Sequence, residues 1–94
     1  MRGLACVNCA KFFRIKKNGV VLEEGMPLNQ EQTQWGPYKL WRVDLWECPG
    51  CGIQVTAGAG QGPTAEHYMV ERYAEQREKY PPFITVNDCG GAKP

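Results

Sequence analysis

Hydrophobic and polar positions alternate most clearly over residues 38–47. There Trp41, Val43 and Leu45 fall on one face and Leu40, Arg42, Asp44 and Trp46 on the other. A period of two sustained this long predicts a strand. Two more alternating runs, 11–17 and 20–24, flank Asn18-Gly19. Asn-Gly accepts positive φ at both central positions of a tight turn, so the pattern predicts a two-residue hairpin. In that register Arg14 faces Glu23, and Phe13, Ile15, Val20 and Leu22 share one side. Residues 25–37 show no period, and Pro27, Gly36 and Pro37 bound them as a polar loop. Residues 53–57 alternate again and read as a strand returning along the long one.

Gly58–Gly62 reads as a flexible connector, without the Lys-Ser/Thr ending of a phosphate loop. A helix is expected over 63–80. Pro63 or Thr64 suits its first turn, Glu66 complements its positive end, and Tyr80-Pro81-Pro82 ends it. Ala65, Met69, Val70 and Tyr73 form its apolar stripe. Residues 83–86 suit a short edge strand, within an 81–94 segment that otherwise reads as a flexible tail. The expected fold is α+β, one domain over 1–94, with the helix packed on an antiparallel sheet.

Composition narrows the picture. With 94 residues and a hydrophobic fraction of 43%, the chain is globular and has room for one domain. A domain this small buries only about 60–65% of the surface its unfolded chain exposes, so its core is marginal. Eleven Lys and Arg against ten Asp and Glu leave a net charge of +1, which excludes a polycationic coat or an acidic tail. No apolar run approaches the length of a membrane span, and the first residues lack the apolar stretch of a secretory signal. A cytoplasmic protein is expected.

The cysteines carry the strongest chemical signal. Cys6-Val7-Asn8-Cys9 and Cys48-Pro49-Gly50-Cys51 are two Cys-x-x-Cys pairs separated by 38 residues, with Cys89 left over. Each two-residue gap lets both thiolates of a turn face one tetrahedral metal, and two such turns complete a four-sulfur shell. Gly50 and Gly52 help the second turn aim backbone N–H groups at the sulfurs. One structural Zn²⁺ on Cys6, Cys9, Cys48 and Cys51 is the reading adopted, since a metal supplies stability that the core lacks. Three alternatives compete with it. Disulfides fit poorly with an odd count and no export signal. A redox-active dithiol needs only one pair, in a βαβ setting that is absent. Iron is suggested by Cys48-Pro49-Gly50-Cys51-Gly52, which looks like half of a rubredoxin site, but the first pair is followed by Ala10 rather than glycine. Cys89 reads as a free thiol near the terminus.

Turn, hairpin, strand, turn and returning strand together resemble a zinc ribbon over residues 4–57. Lys17-Asn18-Gly19-Val20, the run Leu40–Gly52 and Ala65-Glu66-His67 resemble small uncharacterised zinc-ribbon proteins of bacteriophages and prophages. That resemblance implies a phage-encoded protein in the cytoplasm of a bacterial host. It implies no catalytic residues.

Three functional expectations follow. The first is a non-enzymatic module that docks to a host protein or protein–nucleic-acid complex, for example as an inhibitor of host defence or transcription. The second is direct nucleic-acid binding through a basic and aromatic strand, Lys11, Phe12, Arg14, Lys16 and Lys17, joined by Arg42 and Trp46. The third is a rubredoxin-like electron carrier. Trp35, in the polar loop, suits a protein-binding hot spot. His67, the only histidine, reads as a surface residue at the start of the helix. No membrane partner is expected.

Overall fold

The structure is a computed structural model that describes residues 3–60 and 62–88. It is mostly β-sheet with one short helix. Two short strands, β1 (Ala5–Cys6) and β2 (Lys11–Phe12), pair antiparallel as a small hairpin. Two long strands, β3 (Arg14–Pro27) and β4 (Trp35–Glu47), form the spine of a separate five-stranded sheet. Beside β4 lie β5 (Gln54–Ala57) and, further along the same strand, β6 (Ala65–Glu66). Beside β3 lies β7 (Ile84–Val86), running parallel to it. The helix α1 spans Val70–Lys79.

The predicted long strand and its returning partner are present. The predicted Asn18-Gly19 hairpin is not. β3 runs straight through these residues, and Lys17 and Val20 lie opposite Leu45 and Val43. One residue is extra there, and another between Ile15 and Lys17, so β3 carries two bulges. Gly19 takes the left-handed conformation, φ +70°, that Asn-Gly was expected to supply. Its N–H donates to the Asp44 carboxylate at 3.0 Å. Positive φ is taken by Gly19 and not by Asn18, and it serves a bulge rather than a turn.

The true hairpin turn lies in the segment assigned to a loop. Residues 28–34 close β3 onto β4, with Leu28 N–H donating to the Gln34 carbonyl at 2.8 Å. The Asn29 carboxamide holds the turn by accepting from Thr33 N–H at 3.0 Å and donating to the Thr33 hydroxyl at 2.8 Å. The bulges also separate the face assigned to Phe13, Ile15, Val20 and Leu22. Phe13 joins Trp46 on one side, while Val20 and Leu22 pack with Val43, Leu45 and Trp41 on the other.

The helix begins later than expected. Thr64 N–H donates to the Leu40 carbonyl and His67 N–H to the Tyr38 carbonyl, both at 2.8 Å. Beyond β5 the edge of β4 offers free backbone groups, and residues 64–67 satisfy them as strand before the chain turns into α1. Tyr73 is the one buried residue of α1, packed on Val21, Leu40 and Ala65. The edge strand expected near 83–86 is β7.

Candidate metal centre

Each Cys-x-x-Cys pair occupies the turn of a hairpin. Cys6 ends β1 and Cys9 lies in the β1–β2 connection, while Cys48 and Cys51 lie in the β4–β5 connection. The two turns are built alike. Ala10 N–H donates to the Cys6 carbonyl at 2.8 Å, and Gly52 N–H to the Cys48 carbonyl at 3.0 Å. The residue after each second cysteine is left-handed, Ala10 at φ +52° and Gly52 at φ +79°. Alanine therefore performs the turn that glycine performs in the other pair, at some steric cost.

Packing brings the turns together. Phe13, between β2 and β3, and Trp46, near the end of β4, are buried against Cys6 and Cys48, with Leu4, Val55 and Ala57 around them. All four Sγ atoms lie within 4.8 Å of one another, and Cys6 Sγ and Cys51 Sγ are 3.7 Å apart. A tetrahedron with metal–sulfur bonds of about 2.3 Å has edges of about 3.8 Å, so the four sulfurs fit one ion. Gly50 N–H approaches Cys48 Sγ at 3.4 Å. A Cβ at Gly50 would lie 2.8 Å from Cys9 Sγ, so the turn needs glycine there to let the other pair approach.

The sulfurs hold protons unequally. The Cys51 backbone N–H, opposed by desolvation and helped by the Gly50 N–H, holds the Cys48 thiol down at about 6. Hydrogen bonding to Cys48, then to Cys51, pushes the Cys9 thiol up to about 12. Four thiols this close cannot all ionise without a compensating cation, and a divalent metal supplies that charge as it displaces the protons. The four cysteines are placed to bind one metal ion. Cys6 and Cys48 are buried, Cys9 is half-buried and Cys51 faces solvent. Cys89 lies outside the described residues.

No family model, curated protein or solved structure matches the chain.

The other predicted site residues differ in exposure. Lys11, Phe12, Arg14, Lys16, Lys17 and Arg42 are exposed. Lys16 pairs with Glu47 at 2.9 Å, and Arg14 donates to the Phe12 carbonyl at 2.8 Å. Arg42 lies over the Tyr80 ring, 4.9 Å from its centre. Trp46 is corrected: at 7% exposure it packs beneath the cysteines and offers no binding surface. Alternation placed it with Arg42 and Asp44, but the first cysteine turn covers that end of the strand. Trp35 is half-buried, and its indole N–H donates to the Gln32 carbonyl at 2.9 Å. His67 is likewise half-buried, 5.5 Å from the Tyr38 ring, with a buried Nδ1 that has no partner among the described residues.

The sequence reading missed a second polar cluster. Glu23 is only 7% exposed. Its Oε2 accepts from the Tyr73 hydroxyl at 2.7 Å and from Arg77 Nε at 2.9 Å, and its Oε1 accepts from the Thr85 hydroxyl at 3.1 Å. Burial works to raise the Glu23 carboxyl, but the bonds from Tyr73 and Arg77 outweigh it and hold the group below the ordinary glutamate value. The available signal was parity: Glu23 shares a strand face with buried Val21.

Proposed function

We propose that the protein is a zinc-ribbon interaction module, in which one Zn²⁺ on Cys6, Cys9, Cys48 and Cys51 holds a surface that docks to a partner. The observation that carries this reading is the convergence of four sulfurs, two from each of two hairpin turns, within 4.8 Å. Four thiolates in a tetrahedral arrangement select zinc or iron. Zinc is preferred because only the second pair, Cys48–Gly52, looks rubredoxin-like, while Ala10 follows Cys9 in the first; a closed four-sulfur shell leaves no open position for a reacting water. On this reading the protein is not an enzyme.

Docking is supported by what the turns expose. Val7, inside the first turn, is 98% exposed, Phe12, on β2 after that turn, 52%, and Ile53, just after the second turn, 47%. Apolar side chains left in water around a metal-braced end suit protein contact. On the phage-like sequence resemblance alone, the partner is sought among host proteins or protein–nucleic-acid complexes, with defence and transcription machinery as candidates. The test is affinity capture from nuclease-treated host lysate with the wild type and with Val7→Asp/Phe12→Asp. A partner held by the wild type and lost from the variant is expected; identical captures would refute the docking surface. Metal analysis and visible absorption of the purified protein separate zinc from iron, and iron would favour the electron carrier.

Direct nucleic-acid binding is the second reading. Among the described residues Lys11, Arg14 and Lys17 make no ion pair, which leaves their charges available to phosphate. Lys11→Glu/Lys17→Glu should then abolish a salt-dependent affinity for single-stranded nucleic acid. Affinity that is insensitive to salt would exclude this reading.

A further inference from the structure

The Glu23 cluster forms part of a cleft of about 680 Å³ between α1 and the half of the sheet away from the cysteines. That volume is in the ordinary range for a small-molecule site. Trp35, Pro37, Val70 and Ala74 give it carbon walls, while Glu23, Arg77 and Thr85 supply polar groups.

Besides His67 Nδ1, which has no partner among the described residues, and the Asn87 carboxamide, Glu23 and Arg77 each keep a hydrogen-bonding position there. Glu23 Oε2 accepts twice, but Oε1 accepts only from Thr85, and a carboxylate oxygen has room for a second donor. Arg77 spends Nε on Glu23, and its terminal nitrogens bond nothing among the described residues. Glu23, with an acceptor position, and Arg77, with donor positions, both line the cleft. The two charges offset each other, so the site has little net attraction for an anion or a cation. The Trp35 indole N–H is already satisfied, which leaves its ring to act as apolar surface.

We propose that this cleft binds an uncharged planar heterocycle carrying an N–H donor beside a carbonyl or ring-nitrogen acceptor, the chemistry of a nucleobase. The ring packs among the carbon walls, its N–H donates to Glu23 Oε1, and its acceptor takes a hydrogen bond from Arg77. A free nucleoside and an unpaired base of a strand share this chemistry. The proposal does not rest on the metal centre.

The test titrates the metal-loaded protein with adenosine, guanosine, cytidine, uridine and a single-stranded oligonucleotide, following tryptophan fluorescence and NMR shifts of the Tyr73 ring. Saturable binding of at least one nucleoside is expected. Ala74→Trp, which fills the cleft from an exposed helix position, should weaken it at least tenfold, and Glu78→Gln, at an exposed helix position that does not line the cleft, should leave it unchanged. An unaltered melting temperature and metal content confirm that the blocked variant folds, with Val70→Trp as a second blocking variant. Equal affinity for nucleoside and oligonucleotide identifies a free small molecule, whereas a much tighter oligonucleotide displaced by nucleoside identifies a strand. Three results would overturn the proposal: no saturation at millimolar concentration, binding unaffected in both blocked variants, or benzoate or benzylamine binding as tightly as the best nucleoside.

Discussion

Ala10, Gly50 and Glu23 show how single side chains set the limits of this fold. Ala10 occupies a left-handed conformation that Gly52 adopts freely in the matching turn. Ala10→Gly should stabilise the metal-loaded protein by up to about 1 kcal/mol, read as a rise in urea midpoint. Gly50 is the reverse case. Gly50→Ala drives a Cβ against Cys9 Sγ and Cβ, so the metal should be lost to a competing chelator at lower chelator concentration than in the wild type. Glu23 joins β3 to α1 and β7 through three side chains, and Glu23→Gln should cost about 1–3 kcal/mol at neutral pH. Because its folded carboxyl titrates below the ordinary value, the carboxylate's contribution is complete above about pH 5 and is lost as pH falls through the folded value. Acid unfolding followed by circular dichroism should therefore be shallower in Glu23→Gln than in the wild type.

At the scale of elements, local signals were legible but their use was not. Asn18-Gly19 announced positive φ, which Gly19 takes and Asn18 does not, and a hairpin there would have left most of β4 without its partner. A long antiparallel β3 satisfies β4 along its length, and the Asp44 carboxylate takes the N–H that the bulge frees. Gly19→Val should cost about 1–2 kcal/mol from the left-handed backbone. A Cβ there also lies 3.2 Å from the Arg42 guanidinium. Faster amide exchange confined to β3 around the bulge checks the location. The same logic shortens the helix: Thr64–His67 have reasonable helical neighbours, but the open edge of β4 offers them backbone partners first. Sequence periodicity cannot register a free edge made by residues more than twenty positions away.

The whole molecule is elongated, 41 × 31 × 21 Å with a radius of gyration of 15.0 Å, where a compact chain of this length has about 12 Å. Among the described residues, the buried apolar side chains fall into three small clusters rather than one core. One of them is built on Cys6 and Cys48 themselves, so a metal ion held by the four cysteines would brace that end. Chelation, or Cys48→Ser, should remove stabilisation on the order of 10 kcal/mol and unfold that end, which Trp46 fluorescence reports. Unchanged Trp46 emission and an unchanged melting temperature after complete metal removal would contradict this dependence. The sequence by itself determined the donor set, the long strand and the mixed α and β content, because ligand spacing and period-two alternation are local properties. Only the tertiary structure decided the β3 bulges, the burial of Trp46 and the joining of Glu23 to Tyr73, Arg77 and Thr85. Those outcomes depend on which strands pair and what covers each face, contacts between residues as many as 62 positions apart.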